Sequence, residues 1–290
     1  MTRDTEQPEP LIAQPASELR GARAVAVQRF VSPIPFVDSI VHGDNCDVLG
    51  KLPRNCIDLV VTSPPYDDLR IYGGHSWDFY GVAWQLARVL KSGGVIVWVV
   101  ADQTKNGSES GTSMRQALHF QTLGLNLHDT MIYKVRGTGA KGSNLAYWQA
   151  WEYMLVLSKG NPNTVNRLRT QRSSEWKAGG RLTVDGKQKP GLDREPDDTC
   201  IRDNVWEYAV GAAANDDVTS HPAVFPTQLA KDHIASWSKV GDLVLDPFSG
   251  SGTTCKAAKE LERHYIGIEI NEAYIKDANA RTAQDVLGLG

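Results

Sequence analysis

Two short stretches of this chain carry residue types whose spacing could do chemistry. The first is Thr62-Ser63-Pro64-Pro65-Tyr66, which follows the aliphatic run of Ile57, Leu59, Val60 and Val61. Such a run predicts a strand buried on both faces. Two prolines cannot donate to a sheet ladder, and Pro64 pushes Ser63 out of helical dihedrals. The strand therefore ends in a stiff, extended elbow with a hydroxyl on one side and an aromatic ring on the other. The second stretch is Asp246-Pro247-Phe248-Ser249-Gly250-Ser251-Gly252-Thr253-Thr254, between the apolar run Leu243 to Leu245 and a helix opening at Thr253 or Thr254. Its glycines allow the backbone to approach a ligand, and free amides at the helix start can receive carboxylate or phosphate oxygens. A further strand, Tyr265 to Ile270, carries Glu269, an acid placed to suit a ribose diol. Glu269 lies 17 positions after Gly252, near the spacing of about 20 expected for that role.

These stretches need elements to hold them. The pattern predicts a strand at Asp38 to His42, one or two helical turns at Asp47 to Leu52, and a helix at Trp77 to Lys91. Ser92-Gly93-Gly94 reads as a helix stop, followed by a strand at Val95 to Val100. A loop spans Asp102 to Gly111, a helix Thr112 to Leu123, and strands Leu127 to Val135 and Glu152 to Leu157. Strands separated by helices indicate an α/β, mostly parallel, doubly wound sheet covered on both faces. The short Lys159 connection suggests an antiparallel edge strand. Residues 160–215 lose periodicity and are too long for a structureless loop, so they predict a small irregular insert with Trp176 and Trp206 as its own core. The expected organisation is a flexible tail (1–35), a half carrying the proline elbow (36–159), the insert (160–215) and a half carrying the glycine turn (216–290). The polar loop Asp67 to Ser76 is long enough to act as a lid, and a short helix is expected near Glu18 to Arg29 in the tail. His119, His128 and His233 read as structural or surface residues.

The 290 residues carry 41% hydrophobic and 22% charged residues, ordinary for a soluble globular protein. No run approaches the roughly 18 apolar residues that span a bilayer, and MTRDTEQPEP has no apolar core of the signal-peptide kind. Cys46, Cys56, Cys200 and Cys255 show no CxxC pair, so no metal site is expected and reduced thiols in a cytoplasmic protein are. The net charge of −3 is unevenly spread: Lys134 to Lys189 holds eleven Lys and Arg against Glu152, Glu175 and Asp185. A face that approaches phosphates needs such a bias.

At SPPY the sequence resembles the amino-methyltransferases of DNA, whose catalytic motif is (D/N/S)PP(Y/F). DPFSGSGTT is similar to the S-adenosylmethionine motif of that family, and His221-Pro222-Ala223-Val224-Phe225-Pro226 to the HPA-x-FP segment that completes its cofactor pocket. Gly43-Asp44 resembles the segment that places an acid near the adenine. Their order is that of the β class, in which the catalytic half precedes the cofactor half, and the likeness covers about residues 38 to 283. It implies a Rossmann-like methyltransferase fold with S-adenosylmethionine as cofactor and double-stranded DNA as partner. It also implies a target-recognition role for the insert, a prokaryotic or phage origin, and, as further partners, a restriction endonuclease acting on the same site and a second copy of the chain. Catalysis then falls to Ser63, Pro64, Pro65 and Tyr66. Cofactor contacts fall to Asp44, Cys46, Thr62, Pro222, Phe225, Pro226, Thr227, Asp246, Phe248, Ser249, Gly250, Ser251, Gly252, Thr253, Thr254 and Glu269. Lys134, Arg136, Lys141, Arg167, Arg169, Arg172, Lys177 and Arg181 are the candidate DNA contacts.

The chemistry follows from the substrate amine. Its lone pair is delocalised into the base, so attack on a sulfonium methyl requires movement toward tetrahedral geometry. The Ser63 hydroxyl and Pro64 carbonyl could accept its two hydrogens, and Tyr66 could stack on a flipped-out base. In the resembled family SPP(Y/F) goes mostly with cytosine N4 and DPPY with adenine N6, so Ser63 favours cytosine. Adenine N6 is the alternative; protein glutamine methylation and a non-catalytic DNA-binding role are more remote. Cytosine C5 methylation needs a cysteine nucleophile in a Pro-Cys setting that neither Cys46 nor Cys255 has.

Overall fold

In a computed structural model, which describes residues 34–65, 77–136, 147–171, 185, 199–209 and 226–283, the chain from Ile34 onward forms one unit. Its first half runs β1 (Ser39–His42), α1 (Asn45–Lys51), β2 (Ile57–Thr62), α2 (Phe79–Val89) and β3 (Leu90–Val100). A small hairpin, β4 (Thr104–Lys105) and β5 (Ser108–Glu109), occupies the expected loop before α3 (Thr112–Thr122). Then follow β6 (Asn126–Arg136), β7 (Trp151–Ser158), β8 (Arg169–Gln171), β9 (Thr199–Ile201) and β10 (Val205–Ala209). The last part is α4 (Thr227–Trp237), β11 (Leu243–Asp246), α5 (Thr253–Glu260), β12 (His264–Glu269) and α6 (Glu272–Ala283). The expected tail helix, the Asp67–Ser76 loop and Trp176 lie outside the described residues.

Eight strands form the main sheet in the order β1-β12-β11-β2-β3-β7-β6-β10. Strands β1, β12, β11, β2 and β3 are mutually parallel, β7 is antiparallel to both neighbours, and β10 is parallel to β6. The reversed strand is thus β7, which has two strands outside it. The outermost is β10, part of the stretch expected to be the insert. Its pairing with β6 turns Trp206 and Tyr208 into the layer beneath the sheet, where Trp206 stacks on His233 at 4.7 Å. Trp206 therefore belongs to the main core, not to a separate core of the insert. The hairpin β8–β9 does belong to the stretch between.

Two apolar layers hold the sheet. Val48, Leu86, Val89, Trp98 and Phe120 pack with α1, α2 and α3 on one face. Leu229, Ile234, Ala257, Ala258 and Ala278 pack with α4, α5 and α6 on the other. Each large aliphatic side chain buried this way contributes roughly 1.5–3 kcal/mol. The central strands are covered on both sides, which is why they read as unbroken apolar runs. His233 is fully buried, and that burial pushes its pKa down to about 3, so it sits in the core as a neutral ring.

Ser92-Gly93-Gly94 is not a gap between helix and strand. The pairing with β2 jumps from Ile57–Leu90 to Leu59–Val95, so the intervening residues bulge inside one continuous β3. Gly93 sits there at φ +76, its N–H donating to Lys159 O; a side chain at that φ would be strained. Lys159 in turn donates to Ala87 O and Leu90 O at 2.8 Å, closing the carboxyl end of α2.

Candidate active site

Because β2 and β11 are adjacent and parallel, the proline elbow and the glycine turn leave the same rim of the sheet side by side. A buried hydrogen bond from Thr62 Oγ1 to Asp246 Oδ1, 2.7 Å, joins them across 184 positions of sequence. Thr254 Oγ1 donates to Val61 O at 3.2 Å just behind it. Ser63 and Pro65 are half-buried at this rim and Pro64 is buried. Tyr66, Pro222 and Phe225 lie outside the described residues.

Asp246 is the corner of the site. It also accepts from Phe248 N at 3.1 Å, which fixes where the turn begins. Full burial pushes its pKa up to about 6, against the lowering effect of those hydrogen bonds. It holds the elbow to the turn and is 1% exposed.

Glu269 ends β12 next door. Its Oε2 accepts from Gly250 N and its Oε1 from Asn271 N, both at 2.8 Å. Each carboxylate oxygen keeps a second lone pair for a hydroxyl donor, as a ribose diol requires. Gly43 N donates to Glu269 O at 3.0 Å, which places Asp44 at the same rim. Asp44 is exposed and caps α1, accepting from Asp47 N.

The turn itself is braced from behind. Arg281 on α6 donates to Ser251 O at 2.8 Å, to Ser251 Oγ at 2.9 Å and to Thr253 Oγ1 at 3.3 Å. Ser249 Oγ lies 3.6 Å from Cys255 Sγ. The hydroxyls of Ser249, Ser251, Thr253 and Thr254 are thus turned into the protein, and the amides of Phe248, Ser249, Gly250 and Gly252 are engaged as well, donating to Asp246, Ile268, Glu269 and Ser249. Gly252, at φ +80, has Ala278 Cβ 3.0 Å from where its own Cβ would stand, so α6 can close against the turn only over a glycine.

Phe248 projects half-buried from the turn, with Trp77 edge-on at 4.9 Å and Trp98 at 6.3 Å. Trp77 was not foreseen; its signal was an aromatic residue just before Asp78, the cap of α2. Asp102 at the end of β3 was missed as well. It is buried and accepts from Ser113 N at 2.9 Å and Ser113 Oγ at 2.5 Å, fastening the start of α3 to the rim. Pro226 and Thr227 are buried where α4 begins.

The thiols are poorly suited to nucleophilic work. Burial, then the charges of Asp44, Asp78 and Asp47, push Cys46 up to about 11. Burial and Asp246 raise Cys255 further. Both remain protonated at neutral pH, and a thiol is a weak nucleophile. Among the described residues no group of three or more His, Cys, Asp or Glu side chains is placed to hold a metal ion.

On the other flank, Lys134 pairs with Glu207 across β6 and β10 at 2.9 Å. Arg169 donates to Thr199 Oγ1 at 2.8 Å and Thr199 O at 3.1 Å within the β8–β9 hairpin. Arg167 is exposed. Lys141, Arg172, Lys177, Arg181 and the side chain of Arg136 lie outside the described residues.

A doubly wound sheet that ends adjacent strands in a glycine turn, a ribose-suited acid and a proline elbow defines a Rossmann-like methyltransferase. The chain belongs to the N6/N4 family of DNA methylases, whose model matches residues 57–280. It is 47% identical over 238 residues to M.BamHII, an orphan methyltransferase of Bacillus amyloliquefaciens, covering 78% of this chain and 88% of that one. It is 28% identical over 249 residues to the DNA adenine methyltransferase YhdJ of Escherichia coli K12, covering 82% and 80%. A DNA modification methylase of Thermus thermophilus, solved with S-adenosyl-L-methionine, matches at 26% identity and TM-score 0.57, covering 86% of this chain and 96% of that one. The cofactor is S-adenosylmethionine. The residues present fit it: Glu269 keeps lone pairs that a ribose diol can use, half-buried Phe248 offers an aromatic surface that suits an adenine, and Asp44 stands at the same rim. No helix among the described residues is long and apolar enough to cross a membrane.

Proposed function

We propose that this protein methylates the exocyclic amino nitrogen of a flipped-out base in double-stranded DNA, and that the base is cytosine, modified at N4. The Thr62–Asp246 hydrogen bond carries the reading, because it puts the elbow and the cofactor turn at one rim. When bound, S-adenosylmethionine supplies an already activated methyl group. The protein's task is therefore orientation, which can account for most of the acceleration. Ser63 Oγ and Pro64 O accept the two amine hydrogens and hold the nitrogen lone pair toward the methyl. Tyr66 stacks on the base. Phe248, Glu269 and Asp44 hold the cofactor, and Thr62 and Asp246 keep its turn in register with the elbow. The Arg- and Lys-rich stretch between β7 and β10 reads the target and neutralises phosphates.

Ser63 in place of an acid supports cytosine N4, since SPP(Y/F) goes mostly with that amine. Adenine N6 is the second reading, and the name of the relative YhdJ favours it. The orphan description of M.BamHII supports action without a paired endonuclease. The same enzyme could work as a homodimer on a two-strand site. DNA methylated with labelled cofactor, digested to nucleosides and weighed, decides the base: N4-methylcytosine is expected, and N6-methyladenine overturns the assignment. Label on protein alone overturns the DNA reading.

A further inference from the structure

The segment that leads into β7 presents aromatic surface that the chemistry above leaves unused. Tyr147 is fully exposed, Trp148 is 56% exposed and Trp151 38%, although tryptophan is highly buried on average. The segment is held in place. Val135 N donates to Ala150 O at 2.8 Å, and Trp151 pairs with Lys134 on β6. The Trp151 ring stands edge-on to Tyr153 at 4.7 Å and 84°.

Since β7 runs against β3 and β6, its start lies at the rim where β2 ends in Ser63 and Pro64. Val100 faces Tyr153 and Trp98 faces Leu155, so Trp151 and Tyr153 share the sheet face of Trp98. Two interstrand spacings separate β2 from β7, roughly 10 Å. That is about three base steps along a strand. A base seated at Ser63 therefore leaves Trp151 to a different one, with Trp148 three residues before it in the chain.

We propose that Trp148 and Trp151 stack on a second, unstacked base of the DNA, beside the base held at Ser63. The inference rests on the DNA-methylation reading. Extruding one base strips its partner of pairing and its neighbours of stacking on one side, and an aromatic face can stack on a base so freed whatever the sequence. Lys134 stands at the same register on β6, and the sequence from Lys134 to Lys189 is rich in Lys and Arg, as a partner with phosphates requires.

The preferred site is first recovered by selecting bound duplexes from a random pool, which needs no methyl transfer. An abasic position is then stepped along each strand of that site. Affinities of the wild type and of Trp148→Ala, Trp148→Phe, Trp151→Ala and Trp151→Phe are read by anisotropy. The Ala variants should bind the intact duplex about ten-fold more weakly, the Phe variants should recover most of that, and cofactor affinity should stay unchanged. The deficit should vanish at one abasic position other than the methylated base, and the strand in which it vanishes tells the orphaned partner from a flanking base. Wild-type affinity in the Ala variants, a deficit at every abasic position, or one that vanishes at the methylated base would each overturn the proposal. Should an Ala variant fail to fold, Trp→Leu replaces it as a ringless residue of apolar bulk. A wild type that binds DNA without methylating it sinks the catalytic reading alone.

Discussion

The corner around Asp246 and the rim at the start of β7 lie on one sheet, yet they are built on opposite terms. At the corner every carboxylate and hydroxyl of the turn is engaged: Thr62 with Asp246, Gly250 with Glu269, Ser251 with Arg281, Thr254 with Val61. At the β7 rim, three aromatic side chains and Lys134 face outward. The corner receives one small molecule of fixed shape, so rigidity in advance lowers the ordering cost of binding. On the proposed reading the other flank meets a polymer that must itself be deformed, and it holds its rings exposed and Lys134 paired to Glu207. Preorganisation belongs to the cofactor side and adaptable surface to the DNA side.

The contrast can be broken by substitutions on either side. The largest effect is expected at the elbow between them. Ser63→Ala should lower methyl transfer by about 10²-fold or more, the scale for losing one preorganised hydrogen-bonding partner of a reacting group. Cofactor affinity, read by calorimetry, should stay unchanged; equal loss of both would move Ser63 to the cofactor side.

Next is the pH response of the corner. The folded-state pKa of Asp246 is raised from 3.8 to about 6 by burial. The folded protein therefore binds more protons than the unfolded chain between those values. This contribution favours folding below about pH 4 and is lost as pH rises through 6, a difference of roughly 3 kcal/mol. Denaturant titrations of Asp246→Asn against the wild type should show that component absent in the variant; parallel pH profiles would refute it.

Phe248→Ala should weaken cofactor binding by about ten-fold, the scale of one lost aromatic contact of roughly 1–1.5 kcal/mol. Transfer at saturating cofactor should be nearly retained. A drop in turnover alone would instead tie Phe248, through Trp77, to the elbow. The smallest effect is expected at Lys134. Its exposed pair with Glu207 is worth under about 1 kcal/mol, so Lys134→Ala should leave stability unchanged. If it meets a phosphate in the complex, the slope of log affinity against log salt should shrink by about 0.9. An unchanged slope leaves Lys134 as a surface charge paired to β10.

Much of this was legible in the residues. Strands β2, β3, β11 and β12 could be read because burial on both faces leaves their middles apolar. The glycine turn could be read because close approach of α6 excludes a Cβ at Gly252. Other elements were not. Strand β10 lies in polar sequence, and Val205-Trp206-Glu207-Tyr208 becomes a strand only because β6 offers an edge to pair with. Trp206 was accordingly misplaced in a core of the insert. The Ser92–Gly94 bulge looked like a helix stop because local glycine chemistry is the same for both. Ser251, Thr253 and Thr254 sit in the turn, but their hydroxyls serve Arg281 and Val61.

The order of residues determined by itself which of the central segments would be strands, and that an elbow and a glycine turn would each end one. Those are consequences of local stereochemistry and side-chain type, present in any fold that keeps the segments. Only the tertiary structure decided that β2 and β11 are neighbours, that Asp246 Oδ1 accepts from both Thr62 and Phe248, and that β7 brings Trp151 to the same rim. Such pairings depend on chain segments far apart in sequence reaching one another, and no short stretch of residues encodes its distant partner.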